Sequence, residues 1–426
     1  MTPPFSRGEA SALVTAVMRS APFGRVLTLA IVGTVASSLA VRSIMGWPGL
    51  LGALAALAGI AGVALFVNRH ELEWHGLLPV SLLVFLGWSV LSLFWSDYHW
   101  VSLQSILYQL IFAFLAVYVA LTRDLIQIVR AFGDVLRVLL LVSFALEILS
   151  GLLFDMPFGF LGIAGNLDTA GPIQGIFSTR NQLAVVALIA VVTFFIELET
   201  HSVPRRLATG SLVLAGLAIL FTRSPVAFGS VLVAALAALA LLRLRRMAPA
   251  ERRVRQFVLL GTVVLLTLVG LLFRGRVVRM LNAGSEFELR ARLWRSILRL
   301  TEVNPVEGFG WTGYWRTNVY PYAAIDPLSP PHATALNAYL DVWLQLGLIG
   351  LLSFVALVTL AFVRSWLLAS NKRSVVFLWP ALVLVVLLLV SGAESSALVE
   401  FGWFTLIVCA VKAAQELSWR HRLPET

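Results

Sequence analysis

Pro48-Gly-Leu-Leu-Gly-Ala-Leu-Ala-Ala-Leu-Ala-Gly-Ile-Ala-Gly-Val-Ala-Leu-Phe-Val67 decides the fold class. No side chain in this stretch carries a polar group. Wound as a helix rising about 1.5 Å per residue, it crosses the roughly 30 Å hydrocarbon core of a bilayer. Its small residues, as in Gly52-Ala53-Leu54-Ala55-Ala56, suit close packing between membrane helices. Runs of comparable character lie near 26–45, 77–95, 101–121, 132–153, 182–198, 207–222, 226–242, 256–273, 338–363, 375–391 and 400–414. Together they predict about twelve spans. The whole chain agrees: 59% of its 426 residues are hydrophobic, 13% are charged, and the mean hydropathy is +0.90. That charged fraction, against about 25% in soluble domains, excludes a soluble globular enzyme, a disordered chain and a secreted disulfide scaffold. Continuous rather than alternating hydrophobicity excludes an outer-membrane β-barrel. The expected class is an all-α integral membrane protein.

The single cysteine, Cys409, excludes an intrachain disulfide and CxxC or Cys-zinc chemistry. The first 25 residues lack an apolar stretch ending in a cleavage site, so no removable signal peptide is expected. The net charge is +10, but the basic residues are dispersed between apolar runs, a topology signal and not a nucleic-acid footprint. With the N-terminus inside, 20 of the 32 Lys and Arg fall in inner segments, most densely at Arg243, Arg245, Arg246, Arg252, Arg253 and Arg255. Arg42 and Arg137 fall within spans, and Arg137, near an inner end, is expected to snorkel. The positive-inside rule therefore predicts both termini inside. The organisation follows: a segment 1–25 inside, spans 1–9 over 26–273, a long outer loop 274–337, spans 10–12 over 338–414 and an inner tail 415–426. His70, His75, His201 and His421 then face inward, and His99 and His332 outward.

One exception carries information. Eight of the ten outer basic residues lie in the loop 274–337. Residues 285–303 read as an amphipathic helix, opened by Ser285 and Glu288 as a capping box and ended by Asn304-Pro305. At 100° per residue Arg292, Arg295 and Arg299 share a solvated stripe, whereas Arg290 sits among Phe287, Leu293, Trp294, Ile297, Leu298 and Leu300. A desolvated guanidinium needs an anion. Two readings stand: a salt bridge to Glu286 or to an acid elsewhere, or a phosphate or pyrophosphate clamp, for which Arg's planar fork is suited.

Arg180, in Gly175-Ile-Phe-Ser-Thr-Arg-Asn-Gln182, and Arg223, in Thr222-Arg-Ser-Pro225, are each alone in an outer turn. Either snorkels to headgroups or joins Arg290 on a polyanion. His332 is a loop histidine that near arginines would serve as a base or pyrophosphate donor. Asp341 and Glu394 lie near the outer surface and are candidate arginine partners or proton acceptors. Glu147 and Glu400 are further charges at membrane depth. Trp294, Trp311, Tyr314 and Trp315 read either as interfacial belt residues or as sugar-stacking platforms. The sequence has no Walker A motif and no HExxH or comparable metal-ligand spacing. Without a cofactor or metal signature, a transporter or flippase for an anionic lipid is the rival class.

Three segments carry a family resemblance. Gly175 through Ala184 resembles a Gly-x-Phe…Asn-x-x-Ala/Gly span start. Arg290-Ala-Arg-Leu-Trp294, then Asn304-Pro305 and Gly308-Phe-Gly310, is similar to an Arg-x-x-x-Trp, Pro, Gly-x-Gly pattern. Asn337-Ala-Tyr-Leu340 with Gln345-Leu-Gly-Leu-Ile-Gly350 is similar to His-Asn-x-x-Leu…Glu-x-Gly-x-x-Gly, with Thr222-Arg-Ser224 as a weaker fourth motif. In this order, around a long outer loop, they resemble the O-antigen ligase and polysaccharide polymerase superfamily of bacterial membrane glycosyltransferases. The family's histidine before the Asn is Leu336 here, with His332 the nearest histidine. The resemblance implies a GT-C-like helical fold in the plasma (inner) membrane and metal-independent, inverting transfer without a cofactor. The donor it implies is an undecaprenyl-pyrophosphate-linked glycan, the acceptor a glycan or lipid, and the partners other polysaccharide-assembly membrane proteins. Arg180, Arg223 and Arg290 would hold the pyrophosphate. Polymerisation of a cell-surface polysaccharide or exopolysaccharide and O-antigen-type ligation both fit the motifs.

Overall fold

The computed structural model describes residues 15–69, 78–168, 171–177, 179–273, 276, 284–325 and 332–416. His70, His75, His421, the Ser285 and Glu286 side chains and residues 326–331 lie outside the described residues. Among the described residues the architecture is all-helical, without a strand. The helices are α1 (Ala21–Ala36), α2 (Ser38–Val67), α3 (Val80–Leu91), α4 (His99–Thr122), α5 (Leu125–Ile148), α6 (Arg180–Thr200), α7 (Arg205–Thr222), α8 (Pro225–Leu244), α9 (Pro249–Leu272), α10 (Gly284–Thr301), α11 (Ala338–Asn371), α12 (Leu378–Ser391) and α13 (Glu400–Glu416).

Apart from 26–45, each apolar run of the sequence falls mainly on a single one of these helices. Eight of them are long and apolar enough to cross a membrane, and Ala21–Ala36, Val80–Phe94 and Val375–Ser391 are shorter apolar helices. The run 26–45 starts in α1 and finishes in the first part of α2. Gly46, at φ +70°, then interrupts α2, and Pro48 reopens it. Glycine tolerates the left-handed backbone, and proline suits a helix start because its missing N–H is unpaired there anyway.

α6 is the central helix. In its most apolar window 72% of residues are buried, against 0% in α9, which meets the bundle chiefly at its first turns through Arg252 and Gln256. α12 packs beside α6, and α13 packs on α12, α11 and α4; the two carry the fully buried Trp379, Trp403 and Phe404. Trp379 donates from Nε1 to Thr193 Oγ1 at 3.0 Å, tying α12 to α6, and its ring meets Phe132 edge-on at 5.0 Å. A buried indole keeps its N–H satisfied this way while its faces fill the core.

Arg137 does not snorkel. It is buried, donates to Ser211 Oγ and Asp134 Oδ1 at 2.8 Å each, and pairs with Glu197. Desolvation explains the arrangement: the guanidinium meets its needs from α5, α6 and α7 without reaching the headgroups.

α11 is interrupted at Gly347, φ +66°. The chain leaving α10 hooks onto that break. Phe309 N donates to Leu344 O at 3.2 Å, Gly310 N to Gln345 O at 2.8 Å, and Leu348 N to Pro305 O at 2.9 Å. A Cβ on Gly308 would stand 2.5 Å from Gly347 N, so the two backbones meet where no side chain fits. The Gly-x-Gly motif and the break in α11 are thus one joint. Trp88 and Trp95 brace it by donating to Leu346 O and Glu307 O at 2.9 and 3.0 Å.

Candidate functional site

Helices α6, α8 and α11 begin at the same end of the bundle, each with a side-chain cap. Thr179 accepts from Gln182 N at 3.2 Å, Ser224 from Ala227 N at 3.4 Å, and Asn337 from Tyr339 N and Leu340 N at 3.0 and 3.1 Å. Capping residues end the upstream loop where it turns into the helix. The turn after α12 lies among these starts. Asn337 Nδ2 donates to Gly392 O at 3.2 Å, and Asn181 Nδ2 to Glu394 Oε1 at 2.6 Å. Ser224 Oγ donates to Asn181 Oδ1 at 3.0 Å. Converging helix N-termini give this end a positive dipole field.

Arg290 reaches the same carboxylate. Its Nη2 donates to Glu394 Oε1 at 3.0 Å, with both side chains about nine-tenths buried. Arg180 also acts electrostatically on Glu394. Burial pushes the Glu394 carboxyl above its usual range, against the pull of Arg290, Asn181 and Arg180. Arg223 is exposed, in the left-handed conformation (φ +48°) that caps α7, one residue before Ser224. Three segments that carry the separately noted arginines therefore meet along the chain Ser224–Asn181–Glu394–Arg290. Arg290 takes its acid from the turn after α12, on a different element from Glu286.

α10 presents the expected faces. Arg292, Arg295 and Arg299 are exposed, while Arg290, Leu293 and Ile297 are buried. Leu298, placed on the apolar side by the wheel, is 40% exposed, because the face covered by neighbours is narrower than the apolar arc. Trp294 donates to Ala335 O at 3.0 Å, which lays the segment 332–336 along α10.

Among the described residues Asp341 partners no arginine. It is fully buried and accepts from Trp315 Nε1 and Gln345 Nε2 at 2.7 Å each and from Ala335 N at 3.2 Å. Its oxygens are committed to holding two loop segments on α11, which leaves it no open face for an arginine or a sugar hydroxyl. Trp311 and Trp315 are likewise neither belt residues nor open sugar platforms. Trp311 is 1% exposed and meets Phe85 edge-on, and Trp315 is 6% exposed and stacks on Tyr322 at 5.2 Å. Their faces are covered by the bundle, which they anchor. Trp294 and Tyr314 are only part-buried.

His332 is half-buried, and burial holds its imidazole below the usual histidine value, so at neutral pH it is a proton acceptor. Leu336, at the family's histidine position, precedes the α11 cap Asn337 and packs with Leu293, Ile297 and Trp315.

Glu147 has a specific task. It is buried and accepts from Gln174 N and Gly175 N at 2.9 and 2.7 Å, fixing the loop that delivers Arg180. Asn181 and Ser224 were not among the residues singled out from sequence, although both lie inside quoted motifs. Gln345 is the other omission. Its side-chain oxygen accepts from Thr312 N at 2.7 Å and Gly313 N at 2.9 Å. Among the described residues no group of three or more His, Cys, Asp or Glu is placed to hold a metal ion. The larger cavity, about 390 Å³ and lined by Arg25, Arg123, Arg130 and Asp134, opens beside the start of α1 and the end of α4, away from this cluster.

No curated protein matches the chain. The family model described as O-antigen ligase matches residues 210–355, which run from α7 through the Arg223 turn, α10 and the break in α11, and this match supports an O-antigen ligase/polymerase-like family for the protein.

Proposed function

We propose that the protein is a membrane glycosyltransferase that transfers an undecaprenyl-pyrophosphate-linked glycan to a sugar hydroxyl, extending a cell-surface polysaccharide or exopolysaccharide. The observation that carries this reading is the meeting of the Arg180, Arg223 and Arg290 segments at the Glu394 turn, among capped helix starts. In this reading all twelve apolar runs span the plasma membrane, both termini face the cytoplasm, and the cluster faces outward. The acceptor hydroxyl oxygen attacks the anomeric carbon. The bond from that carbon to the pyrophosphate oxygen breaks with inversion, and the pyrophosphate leaves with the electron pair. Arg290, Arg180 and Arg223 are its ligands and stabilise the charge that builds on the departing oxygen. Loss of one such preorganised donor is worth about 3–4 kcal/mol of barrier. Arg290 would exchange Glu394 for phosphate, or share itself between them. His332, neutral at physiological pH, is the acceptor-side or leaving-group candidate.

A ligase, which moves finished glycan to a lipid or protein acceptor, is the second reading, and the description of the matched family favours it. Transport of an anionic lipid is the third. It calls for a continuous polar path across the spans, whereas the buried charges Arg137, Asp134 and Glu197 are closed on one another. The test is purified protein in detergent with a lipid-linked oligosaccharide and EDTA. A ladder of products is expected for the polymerase. A single transferred product on another acceptor turns the reading to the ligase, and lipid movement without new glycosidic bonds overturns both. Arg290→Ala and, separately, Arg223→Ala are expected to abolish transfer while the protein stays folded.

A further inference from the structure

Glu400 opens α13 in a left-handed backbone conformation, φ +48°. A non-glycine residue held there stores strain that its surroundings must offset. The side chain is buried among polar partners from distant parts of the chain. Tyr108 Oη donates to Glu400 Oε1 at 2.9 Å, and Arg42 Nη1 approaches the same oxygen at 3.5 Å. Tyr314 also lies within electrostatic reach of this carboxylate. The Arg42 guanidinium lies over the Trp47 ring at 4.7 Å and the Tyr314 ring at 5.6 Å, and Trp47 is 49% exposed. None of these groups belongs to the arginine cluster described above.

Of these groups Glu400 and Tyr314 line a cavity of about 50 Å³, together with Gln182, Ser396 and apolar residues such as Phe177 and Val186, while Arg42 and Tyr108 stand behind Glu400 as its partners. That volume exceeds the roughly 10–15 Å³ one water needs, yet it is far too small for a whole glycan. It suits the hydroxyl-bearing edge of a sugar. Gln182 contributes a buried side-chain oxygen that has no hydrogen-bond partner. Buried polar atoms are rarely left so, and this one lines the cavity wall. A carboxylate, an amide and a phenol on an otherwise apolar wall match the hydroxyl edge and the apolar face of a sugar. The cleft also shares a wall with the anion cluster. Asn181, bonded to Glu394, and Gln182 are consecutive residues, so their Cα atoms stand about 3.8 Å apart.

We propose that Glu400, with Gln182, Tyr108, Tyr314 and Arg42, forms a hydroxyl-binding subsite for the acceptor glycan beside the pyrophosphate cluster. The inference rests on the transfer reading and supplies its acceptor side. Glu400 and Gln182 accept hydrogen bonds from sugar hydroxyls, and the Tyr314 ring lines the same cavity. The two substrates would then approach from opposite sides of the first turn of α6.

The experiment measures binding to the full chain in detergent with two probes, inorganic pyrophosphate and a panel of methyl hexosides, by saturation-transfer NMR and tryptophan fluorescence. At least one hexoside is expected to bind, and Glu400→Gln is expected to weaken it about tenfold, as loss of a charged hydrogen-bond partner implies. Pyrophosphate binding should be unchanged in Glu400→Gln and lost in Arg290→Ala. Should Glu400→Gln fail to fold, Gln182→Met decides, because its side-chain oxygen supports no other contact and the variant should lose hexoside binding alone. If no hexoside binds the parent protein, or both variants bind as the parent does, the inference is overturned. If hexosides bind and pyrophosphate does not, the proposed transfer reading falls instead.

Discussion

Among the described residues Arg137–Glu197 and Arg290–Glu394 are arginine–glutamate pairs buried on both sides, and they differ in kind. Arg137 meets Glu197, Asp134 and Ser211 between helices, and every partner sits on a rigid span. Arg290 meets Glu394, which stands on a turn among the capped starts of three helices. The first pair satisfies a charge that would otherwise be stranded in the bundle. The second lies where helix dipoles favour a further anion. Burial alone therefore does not tell the two pairs apart; the helix-dipole field around the acid does.

The comparison is most directly broken by deleting the structural partner. Glu197→Ala leaves Arg137 without its buried acid and is expected to cost about 3–5 kcal/mol of stability. A thermal melt in detergent reads this, while transfer per folded molecule stays as in the parent. A similar melting loss on removing Glu394 would erase the distinction. Arg290→Ala should do the reverse: it raises the transfer barrier by about 3–4 kcal/mol, a loss of several hundredfold, with little change in melting. Initial rates with a lipid-linked oligosaccharide measure it.

Trp315→Phe sharpens a different contrast. It removes one donor from the buried Asp341 and should destabilise by about 1–3 kcal/mol, with no specific effect on sugar binding. A selective rise in acceptor KM would return Trp315 to the sugar site.

The smallest effect concerns pH. Burial raises Glu394 above the ordinary carboxylate value in the folded state. The folded protein therefore binds this proton more tightly than the unfolded chain. The stability this contributes is fully present below the unfolded carboxylate value near 4.5 and is lost as pH rises through the folded value. Glu394→Gln should remove that dependence, and the check is melting temperature against pH for parent and variant. An unchanged slope would mean that Glu394 is ionised throughout.

Much was legible in the sequence for a simple reason: lipid imposes one-dimensional constraints. A run such as 48–67 has to be a helix, because no water satisfies its backbone within a bilayer. The 3.6-residue repeat of α10 likewise separates Arg290 from Arg292, Arg295 and Arg299 before any neighbour is known. Arg180, Arg223 and Arg290 stood out because each was an unusual charge in an outer segment. Asn181, Ser224 and Gln345 did not, since uncharged polar residues in turns carry no such contrast.

The sequence by itself determined that this chain is helical, apolar and marked by a few misplaced arginines, because hydrophobicity and helical period are local properties. Only the tertiary structure decided which acid meets which arginine. Glu394 is 104 residues from Arg290, and Glu400 is 358 from Arg42. It also decided that Asp341 and Trp315 serve each other and that Glu147 carries the loop before Arg180. Such pairings depend on how the helices pack, and packing follows from the shapes of many side chains at once.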